Sequence, residues 1–356
     1  MDFVSNLCLP LFEIKLLMKN PAVIKRRKFL ASSLRAAGAL ALTGVPGCQA
    51  KSKSGNSLSR INRSRVVCAQ NDLVRDNNHK LKSAEVGKLL DRAMENLLEV
   101  NSATEAWQQV FSKDDIVGIK INCLAGRGLS TNYELIEAII EGLSSAGVAE
   151  RNIIIWDRGN RDLLKAGYQI QTDRNKLKCY GTDQVGYSSS LYEFGEVGSF
   201  LSNILVEQCT AIINVPVLKD HGICGVTNAL KNFFGAIHNP NKYHVNRGDP
   251  FIADVNGLSE MRDKTRITIS DVLTSQCEGG PPFMPQWAWS FNGLLVGFDP
   301  VALDMVGWDI IEKKRKEMRL PTLKEVNREP TYIATAADKS HQLGCNDLGK
   351  IEVVRL

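Results

Sequence analysis

Residues 116–157 read IVGIKINCLAGRGLSTNYELIEAIIEGLSSAGVAERNIIIWD, and their order decides the fold class. A short apolar run, 116–122, precedes a segment, 133–146, in which Leu135, Ile136, Ile139, Ile140 and Leu143 recur at helical spacing. Gly147 supplies the stop, and a second apolar run fills 153–157. Strand, helix and strand with short connections make a crossover unit, which belongs in a mostly parallel sheet. Working outward, 66–70 reads as a strand and 84–100 as an amphipathic helix before the unit. Beyond it, strands are expected at 211–217, 266–271, 293–297 and 351–354, and helices at 226–237, 250–262 and 300–318. The expectation is an α/β fold, a mostly parallel sheet flanked by helices, in one large domain over 66–356. An all-β reading has little support.

Ligands of open α/β sheets bind beyond the carboxyl ends of the strands, so polar residues there are candidates. Lys120 and Asn122 end one strand, Asp157 and Arg158 the next, Lys219 and His221 a third, and Asp271 a fourth. The third place is the densest: residues 212–235 read IINVPVLKDHGICGVTNALKNFFG. A glycine-bearing loop leading into a helix leaves backbone N–H groups free, Thr227 is placed to cap it, and Lys219, His221 and Lys231 supply positive charge. That pattern binds anions, and it is not a Walker loop, whose glycine and lysine order is absent. The expected ligand or cofactor set is Lys120, Asn122, Thr227, Lys231 and Asn232, with the glycines Gly279 and Gly280. In an enzyme, His221 would transfer the proton near neutral pH and Lys219 or Lys231 would stabilise developing charge. His238 and His244 stay open between surface and function.

Acidic residues form a second constellation. Asp271 and Glu278 are hard oxygen ligands suited to a divalent metal such as Mg²⁺ or Ca²⁺, and the Glu278-Gly279-Gly280-Pro281-Pro282 loop lets backbone approach a ligand closely. Asp299, with Pro300 after it, reads as a helix cap. Trp287, Trp289 and Phe291 alternate, as core packing in an extended segment does. Seven cysteines beyond residue 65 (68, 123, 179, 209, 224, 277 and 345) include no Cys-x-x-Cys pair, so no local iron–sulfur or zinc-ribbon motif exists. Cys68, Cys123, Cys179 and Cys209 sit in or beside apolar runs and are expected to be buried.

Several of these segments together resemble the domain-of-unknown-function family 362. They are Lys120-Ile-Asn122 with the helix after it, Asn214-Val-Pro-Val-Leu-Lys219-Asp-His221 with Gly225-Val-Thr-Asn-Ala-Leu-Lys-Asn232, Ile269-Ser-Asp271 with Glu278-Gly-Gly-Pro281, and Asp299-Pro-Val-Ala-Leu-Asp304. The likeness runs over about residues 65–320. Ile121 departs from the proline common in the family, and the iron–sulfur cysteines of many members are missing, so no cluster role carries over. A second similarity is narrower: lactate racemase-like proteins hold a nickel-pincer nucleotide with a His and, ten residues on, a Lys, the separation of His221 and Lys231. The matching motifs elsewhere are absent.

The amino-terminal region is of another kind. Arg26 and Arg27 precede Phe29-Leu30 and a weakly apolar run over 36–45, the layout of a twin-arginine export signal. The run is shorter than the roughly 18 residues a bilayer-spanning helix needs. Residues 1–48 are therefore expected to be a signal region, of which 1–17 is an upstream extension if Met18 is the start, and Cys48 is a candidate for lipidation. Residues 49–65, rich in Ser, Lys, Arg and Asn, read as a basic tether. The formal charge of +5 belongs to this region: 12 of the 44 basic and 2 of the 39 acidic residues lie in 1–65, which leaves 32 against 37 beyond, a net of −5. No nucleic-acid surface is expected. Export of a folded chain to the periplasm or cell envelope by the twin-arginine translocase implies a bound cofactor. The alternatives are an envelope protein that binds a ligand or a partner without catalysis, and a redox or pincer-type cofactor enzyme.

Overall fold

A computed structural model describes residues 64–356; the expected signal region and all but the last two residues of the expected tether lie outside them. The strands are β1 (Arg65–Gln70), β2 (Val117–Lys120), β3 (Ile153–Trp156), β4 (Lys178–Cys179), β5 (Tyr192–Phe194), β6 (Val197–Ser199), β7 (Ala211–Asn214), β8 (Val217–His221), β9 (Gly225–Thr227), β10 (Thr265–Gln276), β11 (Ala288–Trp289), β12 (Gly293–Gly297) and β13 (Glu352–Arg355). The α-helices are α1 (Ser83–Leu98), α2 (Ala103–Val110), α3 (Tyr133–Ser145), α4 (Asn160–Ala166), α5 (Phe251–Gly257), α6 (Ser259–Lys264), α7 (Pro300–Glu317) and α8 (Tyr332–Ala336). The main sheet runs β13-β1-β12-β10-β7-β2-β3-β4, with the β8–β9 pair and β11 attached to β10. It is mixed but mostly parallel: β10, β7, β2, β3 and β4 all point one way, and β12 opposes its neighbours.

Strand alternation sorts the core into faces. Ile153 and Ile155 join the layer made with α1, α2 and α3, whereas Ile154 and Trp156 turn to the layer that holds Ile252, Val255 and Tyr332. Ala211 and Ile213 face the first layer and Ile212 the second. Helices thus cover both faces, which is why the central strands are apolar without interruption. α3 buries Leu135, Ile136, Ile139 and Leu143, the stripe its spacing anticipates. Asp299 caps α7 by accepting the Ala302 N–H at 2.8 Å, and Cys68, Cys123, Cys179 and Cys209 are buried thiols.

Topology positions the site. From β2 the chain steps to β3 and β4 on one side and later returns to place β7 on the other side of β2. The crevice between the carboxyl ends of β2 and β7 is therefore a topological switch point, where such sheets bind ligands. Beyond Pro216 the chain resumes as β8, alongside the far half of β10, with Val217 opposite Asp271 and Lys219 opposite Gln276. β8 folds back on β9, with Lys219 opposite Thr227 and His221 opposite Gly225.

Two expectations need correction. Residues 226–237 do not form one helix: Thr227 ends β9, and only Lys231–Ala236 coils, as a 3₁₀ helix. Residues 250–262 divide into α5 and α6, broken at Leu258.

Candidate functional site

A cavity of about 620 Å³ opens at the switch point, walled by the ends of β2 and β3, the β8–β9 hairpin, the 3₁₀ helix from Lys231, the loop through His244, and Gly280-Pro281. Of the expected site residues, Lys120, Asn122, Lys219, His221, Thr227, Lys231, Asn232 and Gly280 line it. Gly279, Asp271 and Glu278 do not.

Lys219 and Lys231 are 1 % and 6 % exposed. Among the described residues neither pairs with a carboxylate. Lys219 Nζ donates one hydrogen bond, 2.8 Å, to Asn122 Oδ1, and Lys231 Nζ lies 3.0 Å from His244 Nε2. An ammonium has three donors, so most of each is unused by protein. Burial lowers the pKa of both; Lys219 falls to about 8 despite the Asp157 carboxylate nearby.

Lys219 is supported by a head-to-tail chain of amides. Asn122 Nδ2 donates to Asn232 Oδ1 at 3.0 Å, Asn232 Nδ2 to Asn214 Oδ1 at 2.8 Å, and Asn214 Nδ2 to the Ala229 carbonyl at 2.9 Å. Every amide thus turns its oxygen toward the lysine, and the aligned dipoles favour the ammonium. Asn232 Nδ2 also reaches the Lys120 carbonyl at 3.2 Å, so one side chain joins both strands of the crevice.

Lys120 has a different part from the one its sequence position implies. Its Nζ donates to Asp157 Oδ1 and to the Ile121 carbonyl, each at 2.7 Å, while Asp157 Oδ2 accepts the Cys123 N–H at 2.7 Å. Its charge is matched within the protein, and the buried pair locks β2 to β3. A Cβ at Gly235 would lie 2.8 Å from Lys120 Nζ and 2.9 Å from Asp157 Oδ1, so only glycine lets the 3₁₀ helix pass this pair.

The hydrogen bonds fix both histidine tautomers. His221 Nδ1 accepts the N–H groups of Ile223 and Cys224 at 3.1 and 3.2 Å, which puts the proton of the neutral ring on Nε2. Burial, then Lys231, His244 and Lys219, drive its pKa down to about 2. His221 is therefore neutral at physiological pH and presents an N–H donor to the cavity. His244 Nδ1 donates to the Pro240 carbonyl at 3.1 Å, which leaves Nε2 as a base facing Lys231. The two rings stack at 5.5 Å. Thr227 Oγ1 is buried with no hydrogen-bond partner among the described residues.

His221, Cys224 and His244 bring one ligand atom each within 4.8 Å of one another. The arrangement does not suit a metal. His221 Nδ1 is engaged by two N–H groups, His244 Nε2 faces an ammonium donor, and Lys231 and Lys219 repel a cation.

The acidic pair is not brought together as a ligand set. Asp271 Oδ2 accepts the backbone N–H and Nδ2 of Asn132 at 2.7 and 2.9 Å, and Oδ1 accepts the Leu273 N–H at 3.0 Å. Burial raises its pKa to about 6 against these bonds. Glu278 is held by Arg315 at 2.5 Å and Arg328 at 2.6 Å. Gly280 approaches protein: its N–H donates to Asp220 Oδ1 at 2.9 Å, and a Cβ there would meet the Asp220 carbonyl at 2.1 Å. Sequence spacing did not single out His244 as a partner of Lys231, nor Phe234, whose ring lies 4.3 Å below that amine.

No curated protein matches the chain. Among solved structures, the crystal structure of a structural-genomics protein from Thermotoga maritima is similar at 11 % identity and a TM-score of 0.41, over 66 % of this chain and 59 % of that one. The chain belongs to the family described as a domain of unknown function, DUF362, whose model matches residues 117–309.

Proposed function

We propose that the protein binds a small anionic ligand or cofactor in the switch-point cavity, with Lys219 as its principal cation. The carrying observation is that two buried lysines, without carboxylate partners among the described residues, line one cavity. Retaining an unpaired charge in the interior costs several kcal/mol, and a carboxylate or phosphate supplied by a ligand removes that cost. Neutral His221 and Thr227 offer hydrogen bonds to the same anion. An anion beside His221 also raises the ring's pKa, since it offsets Lys231 and Lys219, so the ring becomes able to take a proton once ligand is in place. The twin-arginine leader at Arg26 and Arg27 supports export of the folded, ligand-bearing chain to the cell envelope.

Thermal unfolding at fixed ionic strength, with phosphate, malonate, pyruvate and a chloride control, tests the reading. A ligand at a hundred times its Kd adds about 2.7 kcal/mol, or ~5–10 °C for a domain of this size. Lys219→Met should abolish the shift. Equal shifts in wild type and variant would place anion binding elsewhere. Native mass spectrometry of protein taken from its own cell envelope distinguishes a resident cofactor, which gives extra mass, from a ligand that exchanges.

A further inference from the structure

Three groups of the cavity are joined in series: Lys231 Nζ, His244 Nε2 at 3.0 Å, and the Pro240 backbone carbonyl, which accepts from His244 Nδ1 at 3.1 Å. Amine, base, and a group that orients the base are the parts of an activated nucleophile. We propose that Lys231 is a nucleophilic amine that condenses with the carbonyl group of a small anionic aldehyde or ketone, His244 accepting its proton. This rests on the reading of the cavity as an anion site: the carboxylate or phosphate of such a compound takes Lys219, and its carbonyl meets Lys231.

The balance is that of imine formation. Nζ bonds to the carbonyl carbon, one of its protons passes through His244 to the carbonyl oxygen, and a carbinolamine results. The second Nζ proton then leaves with that oxygen as water, giving C=N plus H₂O with no oxidant or reductant. His221 Nε2–H is the donor available to the carbonyl oxygen, since its Nδ1 is occupied by the Ile223 and Cys224 N–H groups. Lys219 shares the cavity and repels a second positive charge there, whereas the His244 lone pair accepts from the amine and favours its protonated form. Cys224 favours the ammonium, and so does the Phe234 ring at 4.3 Å, but burial acts the other way and prevails. Lysines depressed by an apolar, cationic setting are those that form Schiff bases.

The test incubates the protein with pyruvate and sodium cyanoborohydride, which reduces an imine to a stable secondary amine, and locates the added mass by peptide mapping. Labelling at Lys231 is expected to be about ten-fold or more faster than at the exposed Lys324, absent in Lys231→Arg, and slowed about ten-fold or more in His244→Gln, in which Lys231 itself is retained. Labelling of Lys231 no faster than that of Lys324, or undiminished in His244→Gln, overturns the proposal. Two outcomes separate it from the reading beneath it. Phosphate that stabilises the protein without any Lys231 adduct leaves the anion site standing and removes the amine chemistry. Acetone, a methyl ketone without the carboxylate, that labels Lys231 as fast as pyruvate does leaves the amine chemistry standing and removes the anionic substrate class.

Discussion

Lys219→Met should make the ligand-free protein more stable at neutral pH. Burial depresses the Lys219 pKa from its ordinary value of 10.5 to about 8. In the unfolded chain the amine takes up its proton as pH falls below 10.5, but the folded chain takes it up only near 8, so a penalty accrues between these values and is complete below 8. At ~1.4 kcal/mol per unit, a shift of this size costs about 3 kcal/mol at pH 7. Methionine removes the charge and fills similar volume, while Asn122 Oδ1 loses its donor, which returns ~1–2 kcal/mol of that gain. A net stabilisation of about 1–2 kcal/mol should therefore appear in urea unfolding at pH 7, shrink as pH rises from 8 through 10.5, and be lost above that, where the wild-type amine is neutral in both states. Destabilisation of Lys219→Met by ~2 kcal/mol or more at pH 7 would mean that the ammonium is already compensated, and the argument for an anionic ligand would fail.

Other substitutions report on separate parts of the site. Asn232→Ala, which leaves Asn214 Oδ1 and Asn122 Nδ2 without their partner, should lower stability by about 2–4 kcal/mol and weaken phosphate binding through loss of the dipole chain behind Lys219, both read by unfolding with and without phosphate. Glu278→Gln should cost about 2–4 kcal/mol by leaving Arg315, 1 % exposed, and Arg328 without their shared carboxylate, and calorimetry should find no difference in Mg²⁺ or Ca²⁺ binding between variant and wild type. Asp304, whose pKa burial raises to about 8, draws stability down as pH climbs from about 4 toward 8, because the unfolded carboxyl ionises first. Asp304→Asn should flatten that slope in urea midpoints measured across the range; an unchanged slope would contradict the burial argument.

The parts of this fold visible in the sequence were those with a period. Leu135, Ile136, Ile139 and Leu143 could only be one face of a helix, and the apolar runs beside them only buried strands, so the crossover from β2 to β3 followed. Lys120 and Asp157 were each marked as strand ends, and the adjacency of those strands implies the ion pair that joins them. The β8–β9 hairpin was not legible: Lys219, Asp220 and His221 look like a loop, and they are a strand because the cavity, Gly280 and Arg328 receive their side chains. Val226, Leu230, Phe233 and Ile237 keep a helical spacing, but pairing of Thr227 with Lys219 holds the first turn extended, and Asn256 takes the Leu230 carbonyl that a helix would have used. His244 reaches the site along residues 238–248, where no periodicity marks it, and Glu278 read as a metal ligand because its partners, Arg315 and Arg328, are 37 and 50 residues away.

The central claim is that the cavity holds an anion on Lys219, and titration calorimetry of phosphate and pyruvate into wild type and Lys219→Met at constant ionic strength tests it most directly. The account predicts saturable heat for at least one of these anions in the wild type, at one site per chain, and none in the variant. Identical heats in both proteins, or binding that survives in Lys219→Met and disappears only in a variant remote from the cavity, would contradict it.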